Sequence, residues 1–139
     1  MKTLEEVEAA IDEDNRLIHA EFVASIPCLV ADEVARIASS RDSDGIAMLS
    51  AWRDDNRIFS IDHSGIELFP TFQFRNNVPH PSVARVLKVL GPELSRWNVA
   101  LWWVAGNGWL EGVAAPADCL DQPAALLKAA SRTRERFVG

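Results

Sequence analysis

Histidine and cysteine are the side chains of this sequence best suited to proton transfer, nucleophilic attack or metal binding, and their spacing supports none of the three. His19, His63 and His80 fall in a helix-like segment, a turn and a proline-flanked loop, with no nucleophile or carboxylate set beside them by a recognised motif. Cys28 and Cys119 have no metal-ligand spacing and read as small buried hydrophobes, kept as thiols in a reducing compartment. A Gly-rich phosphate loop, a paired-carboxylate signature and a metal-ligand cluster are all missing from the sequence. The chain is therefore expected not to be an enzyme and to carry no cofactor or metal, which leaves binding as its chemistry.

Two groups of residues suit binding. Four of the five tryptophans, Trp97, Trp102, Trp103 and Trp109, lie close together in sequence and demand a large apolar partner surface. Farther on, Lys128, Arg132, Arg134 and Arg136 stand against the lone Glu135. Cations at a helix C-terminus are stabilised by the dipole, so this run reads equally as a solvated helix end and as a basic tail that reaches a partner.

The 139 residues, 48% hydrophobic and 24% charged, suit one compact domain, or a small domain with a smaller helical one, and not a large α/β enzyme. Charge is unevenly placed: two basic and seven acidic side chains in residues 1–24, five and eight in 25–75, seven and five in 76–139. An acidic whole of net charge −6 disfavours non-specific binding to nucleic acid, so any DNA contact must use a local basic face. Glu5, Glu6 and Glu8 stand where an export signal needs a basic start, and the apolar run Val99–Ala105 is too short to span a bilayer; a cytoplasmic protein with no membrane partner is expected.

The elements that must position these groups divide into three: residues 1–24, 25–75 and 76–139. Leu4, Val7, Ile11 and Ile18 form one side of an acidic amphipathic helix, whose apolar side is expected to lie on its own domain, with a second copy of the chain as the alternative. Val30–Ala38 reads as a helix, residues 39–45 as a turn and Ile46–Asp55 as a second helix with Ile46, Leu49 and Ala47 or Trp52 inward. Residues 57–61 and 66–69 read as two strands joined by Asp62-His63-Ser64-Gly65. Helix, turn, helix, hairpin is the order of a winged helix-turn-helix; its rival is a small α+β domain whose hairpin only closes a core. Arg36, Arg41, Arg53, Arg57 and His63 are the candidate DNA contacts, although Asp54 and Asp55 at the end of the second helix oppose phosphate.

Beyond a boundary near residue 76, Ser82–Leu90 makes a helix with Val83, Val86, Leu87 and Leu90 on one face, ended by Gly91-Pro92. Ser95 caps a helix over Arg96–Ala105, which Gly106-Asn107-Gly108 is expected to stop in a left-handed turn. Trp102 and Trp103 point about 100° apart on that helix, so one fills the core and the other meets a neighbouring element. Pro116 suits the start of a short helix, and Asp121 with Pro123 starts the last one, with Leu126, Ala130 and Phe137 on one side. The fold class expected is mainly α with a small β-hairpin.

On these residues the C-terminal half resembles the toxin-binding domain of the Xre/MbcA/ParS antitoxins. The resemblance rests on the tryptophan-bearing helix with Trp97 and Trp102, then Asn107, Trp109, Leu110 and Gly112, then Pro116, Asp118 and Leu120, then an alanine-rich helix from Ala124 to Arg136. It covers roughly residues 80–137, and Cys119 stands where a leucine is commoner. It implies an antitoxin of a type II toxin–antitoxin pair whose partner is a RES-domain toxin that consumes NAD, neutralised by covering its active-site entrance. It also implies oligomers that bind operator DNA through the N-terminal part; a stand-alone transcription regulator is the alternative.

The residues expected to meet the toxin are Trp109, Leu110, Lys128, Arg132, Arg134, Arg136 and Phe137. Trp109 is read first as a core residue that locks its turn and second as an interface anchor, and Asp118 as the cap of a backbone turn.

Overall fold

A computed structural model describes residues 3–39 and 44–138, with side chains through residue 136. Arg41 and the Phe137 side chain therefore lie outside the described residues. The fold is mainly helical with a small antiparallel sheet.

Helix α1 (Leu4–Ser25) begins in a reciprocal cap: Thr3 Oγ1 accepts from the Glu6 N–H at 3.1 Å while the Thr3 N–H donates to the Glu6 carboxylate at 3.0 Å. Of its residues only Phe22 is buried. The apolar side expected to lie on its own domain instead stands in water, because α1 meets the rest of the chain only near its C-terminal end.

After Pro27 the chain forms strand β1 (Cys28–Val30), whose last residue was expected to begin a helix. Helix α2 (Ala31–Ala38) follows directly, its first turn closed by the Glu33 carboxylate accepting from the Val30 N–H. Helix α3 (Gly45–Asp54) starts on Asp44, whose side chain accepts from the Ile46 N–H. A β-carbon at Gly45 would overlap the Ala35 carbonyl, so α2 and α3 approach this closely because residue 45 is glycine. Gly45, Leu49 and Trp52 face inward, and Ile46, expected inside, is 71% exposed.

Strands β2 (Ile61–His63) and β3 (Ile66–Pro70) form a hairpin around Ser64-Gly65, both at positive φ as a tight two-residue turn requires. Strand β3 also pairs antiparallel with β1, placing Leu29 opposite Phe69, so the sheet runs β1-β3-β2. Residues 57–60, expected to extend the first strand, do not join the sheet. Gln73, fully buried, takes the ladder's place: its Oε1 accepts from the Phe59 N–H at 2.8 Å and its Nε2 donates to the Phe59 and Pro70 carbonyls at 2.9 Å.

A two-strand ribbon, β4 (Phe74–Arg75) with β5 (Val78–Pro79), leads into α4 (Pro81–Leu90). His80 caps α4, its Nδ1 accepting from the Ser82 N–H at 3.1 Å, which leaves Nε2 to donate toward Asp121 at 3.2 Å. Helix α5 (Arg96–Val104) is capped by Ser95 as expected. Short turns at Glu111–Val113 and Pro116–Cys119 then lead to α6 (Pro123–Val138).

The larger apolar core joins Val83, Val86 and Leu90 of α4, Val99, Trp102 and Trp103 of α5, and Leu126, Ala129 and Ala130 of α6. Phe22, Phe59 and Ile61 belong to it as well, so it crosses the expected boundary near residue 76. A smaller core under α2 and α3 holds Val34, Leu49, Trp52, Ile58 and Phe69.

Candidate partner-binding face

The segment between α5 and the Pro116 turn shows why each residue of the tryptophan motif stands where it does. Asn107 closes the loop on itself: its side chain accepts from the Trp109 N–H at 2.9 Å, and its own N–H donates to the Ala114 carbonyl at 3.0 Å. Leu110 is the anchor, only 4% exposed. The left-handed backbone expected at Gly106 and Gly108 falls instead at Gly112 (φ 69°) and Val113 (φ 52°), and α5 ends in an extended residue, Ala105. With Leu110 pointing in, its neighbour points out: Trp109 is 51% exposed, which corrects the reading of Trp109 as core.

Helix α6 completes the face. Lys128 and Arg132, one turn apart, both reach the Trp109 ring, with the Arg132 guanidinium carbon 4.8 Å and Lys128 Nζ 5.8 Å from its centroid. Glu135 pairs with Arg132 at 3.2 Å from the next turn. Arg136 continues the Lys128–Arg132 line and is exposed. Arg134 points elsewhere, toward the end of α4, where it lies 3.4 Å from the Val89 carbonyl and 3.6 Å from Glu93. Thus Trp109, Lys128 and Arg132 come together, while Leu110 and Arg134 are turned away from them. Val113, 62% exposed on the same loop, was not singled out from sequence; its positive φ arises from the loop fold and leaves no mark in its residue type.

The other tryptophans serve the interior. Trp103 is fully buried against Phe59 and Phe72. Trp102 packs edge-on to it and donates to Thr133 Oγ1 at 2.8 Å, fastening α5 to α6, as expected of a pair pointing 100° apart. Trp97, half-buried, ties α1 and the hairpin to α5: it stacks on His19 at 3.7 Å and donates from Nε1 to the Asp62 carbonyl at 3.1 Å. Burial first, and the nearby His63 second, hold His19 below its ordinary pKa. The Asp118 carboxylate, expected as a cap, is exposed and accepts no hydrogen bond among the described residues.

Among the described residues, two of the candidate DNA contacts are engaged within the chain. Arg53 is engaged by Glu67 at 2.6 Å, and Glu67 also accepts from Ser60. His63 turns its ring toward Trp97. Arg36 and Arg57 are exposed, and the outer side of α3 presents Ile46, Ala47, Ser50 and Ala51 before Asp54. Among the described residues no group of three His, Cys, Asp or Glu is placed to hold a metal, and no helix is long and apolar enough to cross a membrane.

Comparison of the chain with protein-family models, with curated proteins and with solved structures gives no match.

Proposed function

We propose that this chain is the antitoxin of a type II toxin–antitoxin pair, which neutralises a RES-domain, NAD-consuming toxin by laying the Trp109 face over its active-site entrance. One observation carries the reading: a large aromatic ring, half in water, is held by a self-closed loop against two cations of α6. A rigid aromatic with an arginine on its face is the composition of an interface hot spot. Its positive charge selects a partner surface rich in carboxylates.

The test is co-expression with a RES-domain toxin, scoring growth and co-purification. Wild-type chain restores growth and co-purifies; Trp109→Ala and Arg132→Ala lose both, with affinity at least ~30-fold lower and an unchanged circular-dichroism spectrum. A toxin that is neutralised equally by both variants refutes the reading. Point changes are needed because Leu126, Ala129 and Ala130 are buried, so deletion of α6 removes core along with surface.

A second reading, a DNA-binding regulator, draws support from topology. Two packed helices followed by a hairpin are compatible with a helix-turn-helix part, as they are with a small α+β domain whose hairpin closes a core. The Arg53–Glu67 pair and the exposed Asp54 and Asp55 weigh against it. A salt-dependent mobility shift of operator DNA, lost in Arg36→Ala/Arg57→Ala, would favour it.

A further inference from the structure

Helix α1 is about 33 Å long, yet the body of the protein covers only its last turns. Leu4, Val7, Ile11 and Ile18 are 73%, 40%, 53% and 44% exposed. On a helical wheel these four lie in one stripe about 60° wide that continues into the buried Phe22. The face that packs on the protein at one end of α1 therefore runs on, still apolar, past the edge of the protein. A solvated helical segment of this length is marginal without packing.

We infer that this stripe pairs with the same stripe of a second copy of the chain, antiparallel about a twofold axis at Ile11. The inference goes beyond the antitoxin reading and does not depend on it. Leu4, Ile11 and Ile18 recur at intervals of seven, so the antiparallel register sets Ile11 against its equivalent and Leu4 against Ile18 of the second copy. Such self-complementarity is what an isologous contact requires. It also brings Asn15 beside Glu8 of the second copy, an amide that can donate to a carboxylate.

The area is that of a weak, concentration-dependent pairing. The four residues expose on the order of 350 Å² per copy. Two copies, with the stems of flanking side chains, approach the ~1,000 Å² of a specific interface. Charge opposes the pairing, since α1 carries seven carboxylates and only Arg16. Salt therefore strengthens self-association here, whereas it would weaken docking on a basic partner.

Sedimentation equilibrium of the full chain across protein and salt concentration tests this. Wild type is a dimer that tightens with salt. Ile11→Glu weakens it at least ~100-fold, and Ala9→Glu, which places the same charge on the opposite side of the helix, leaves it intact. Both positions are exposed, so circular dichroism of either variant matches wild type. Mild oxidation of Ile11→Cys yields a linked dimer, while Leu4→Cys and the wild type, with Cys28 and Cys119, stay unlinked. A wild type that is monomeric throughout, a dimer that loosens with salt, one that survives Ile11→Glu, or linkage through Leu4→Cys each overturns the proposal.

Discussion

Helices α1 and α6 are both long, charged and amphipathic, yet the protein uses them in opposite ways. Helix α6 sinks Leu126, Ala129 and Ala130 completely into the core against α4 and turns a cationic line toward Trp109. Helix α1 sinks Phe22 alone and leaves the rest of its apolar stripe in water. The difference lies in how much of each helix has a partner within the chain: α6 packs on α4, whereas α1 meets the rest only near its C-terminal end. Small residues at 129 and 130 let α6 approach α4 closely, and Trp102 reaches across to Thr133. The stretch of α1 that carries Leu4, Val7, Ile11 and Ile18 lies past the body those residues would have to meet. An amphipathic pattern shows that a helix has an apolar face, and leaves open whether that face belongs to the core.

The comparison predicts a descending series of effects. Leu126→Ala in α6 should cost about 3 kcal/mol of unfolding free energy, read by chemical denaturation; a cost near zero would mean that α6 is not core. Thr133→Val should cost less, about 1–2 kcal/mol, because it leaves the Trp102 N–H without its acceptor. Trp109→Ala should change stability by under ~1 kcal/mol while removing partner binding, so a large loss of stability would return Trp109 to the core.

The smallest effect concerns the attachment of α1. Burial lowers the His19 pKa in the folded chain, so as pH falls below the ordinary histidine value of 6.5 the unfolded chain takes up the proton first. The stability that neutral His19 contributes is present above that value and declines below it. In an NMR titration the His19 ring should have a midpoint below the ordinary value, and Trp97→Leu should raise it; no change in midpoint would show that the stack does not shield the ring.

Much of the helical fold was legible because its signals are local. Ser95 caps α5, Gly91-Pro92 ends α4, and the Ser64-Gly65 turn closes the hairpin, each through bonds or backbone angles within a few residues. Strand β1 was not legible: Cys28-Leu29-Val30 carries no strand signal of its own and is a strand because Pro70-Phe69-Leu68 lies beside it. Residues 57–60 look like a strand and are not one, since the Gln73 amide occupies the hydrogen-bonding groups of Phe59. For the candidate face, Trp109, Lys128 and Arg132 could be named from residue type. Their stacking could not, because it depends on how the 107–114 loop folds over α6.

The sequence by itself determined the mainly helical class, the helix starts and stops, the acidic first helix and the cationic last one, since periodicity, caps and charge are properties of neighbouring residues. Only the tertiary structure decided which apolar faces are used. Trp103 lies inside and Trp109 outside, Leu110 anchors while Trp109 is presented, and α1 is left uncovered although its pattern resembles that of a packed helix. Burial depends on which surfaces distant segments bring together, and no short stretch of chain carries that information.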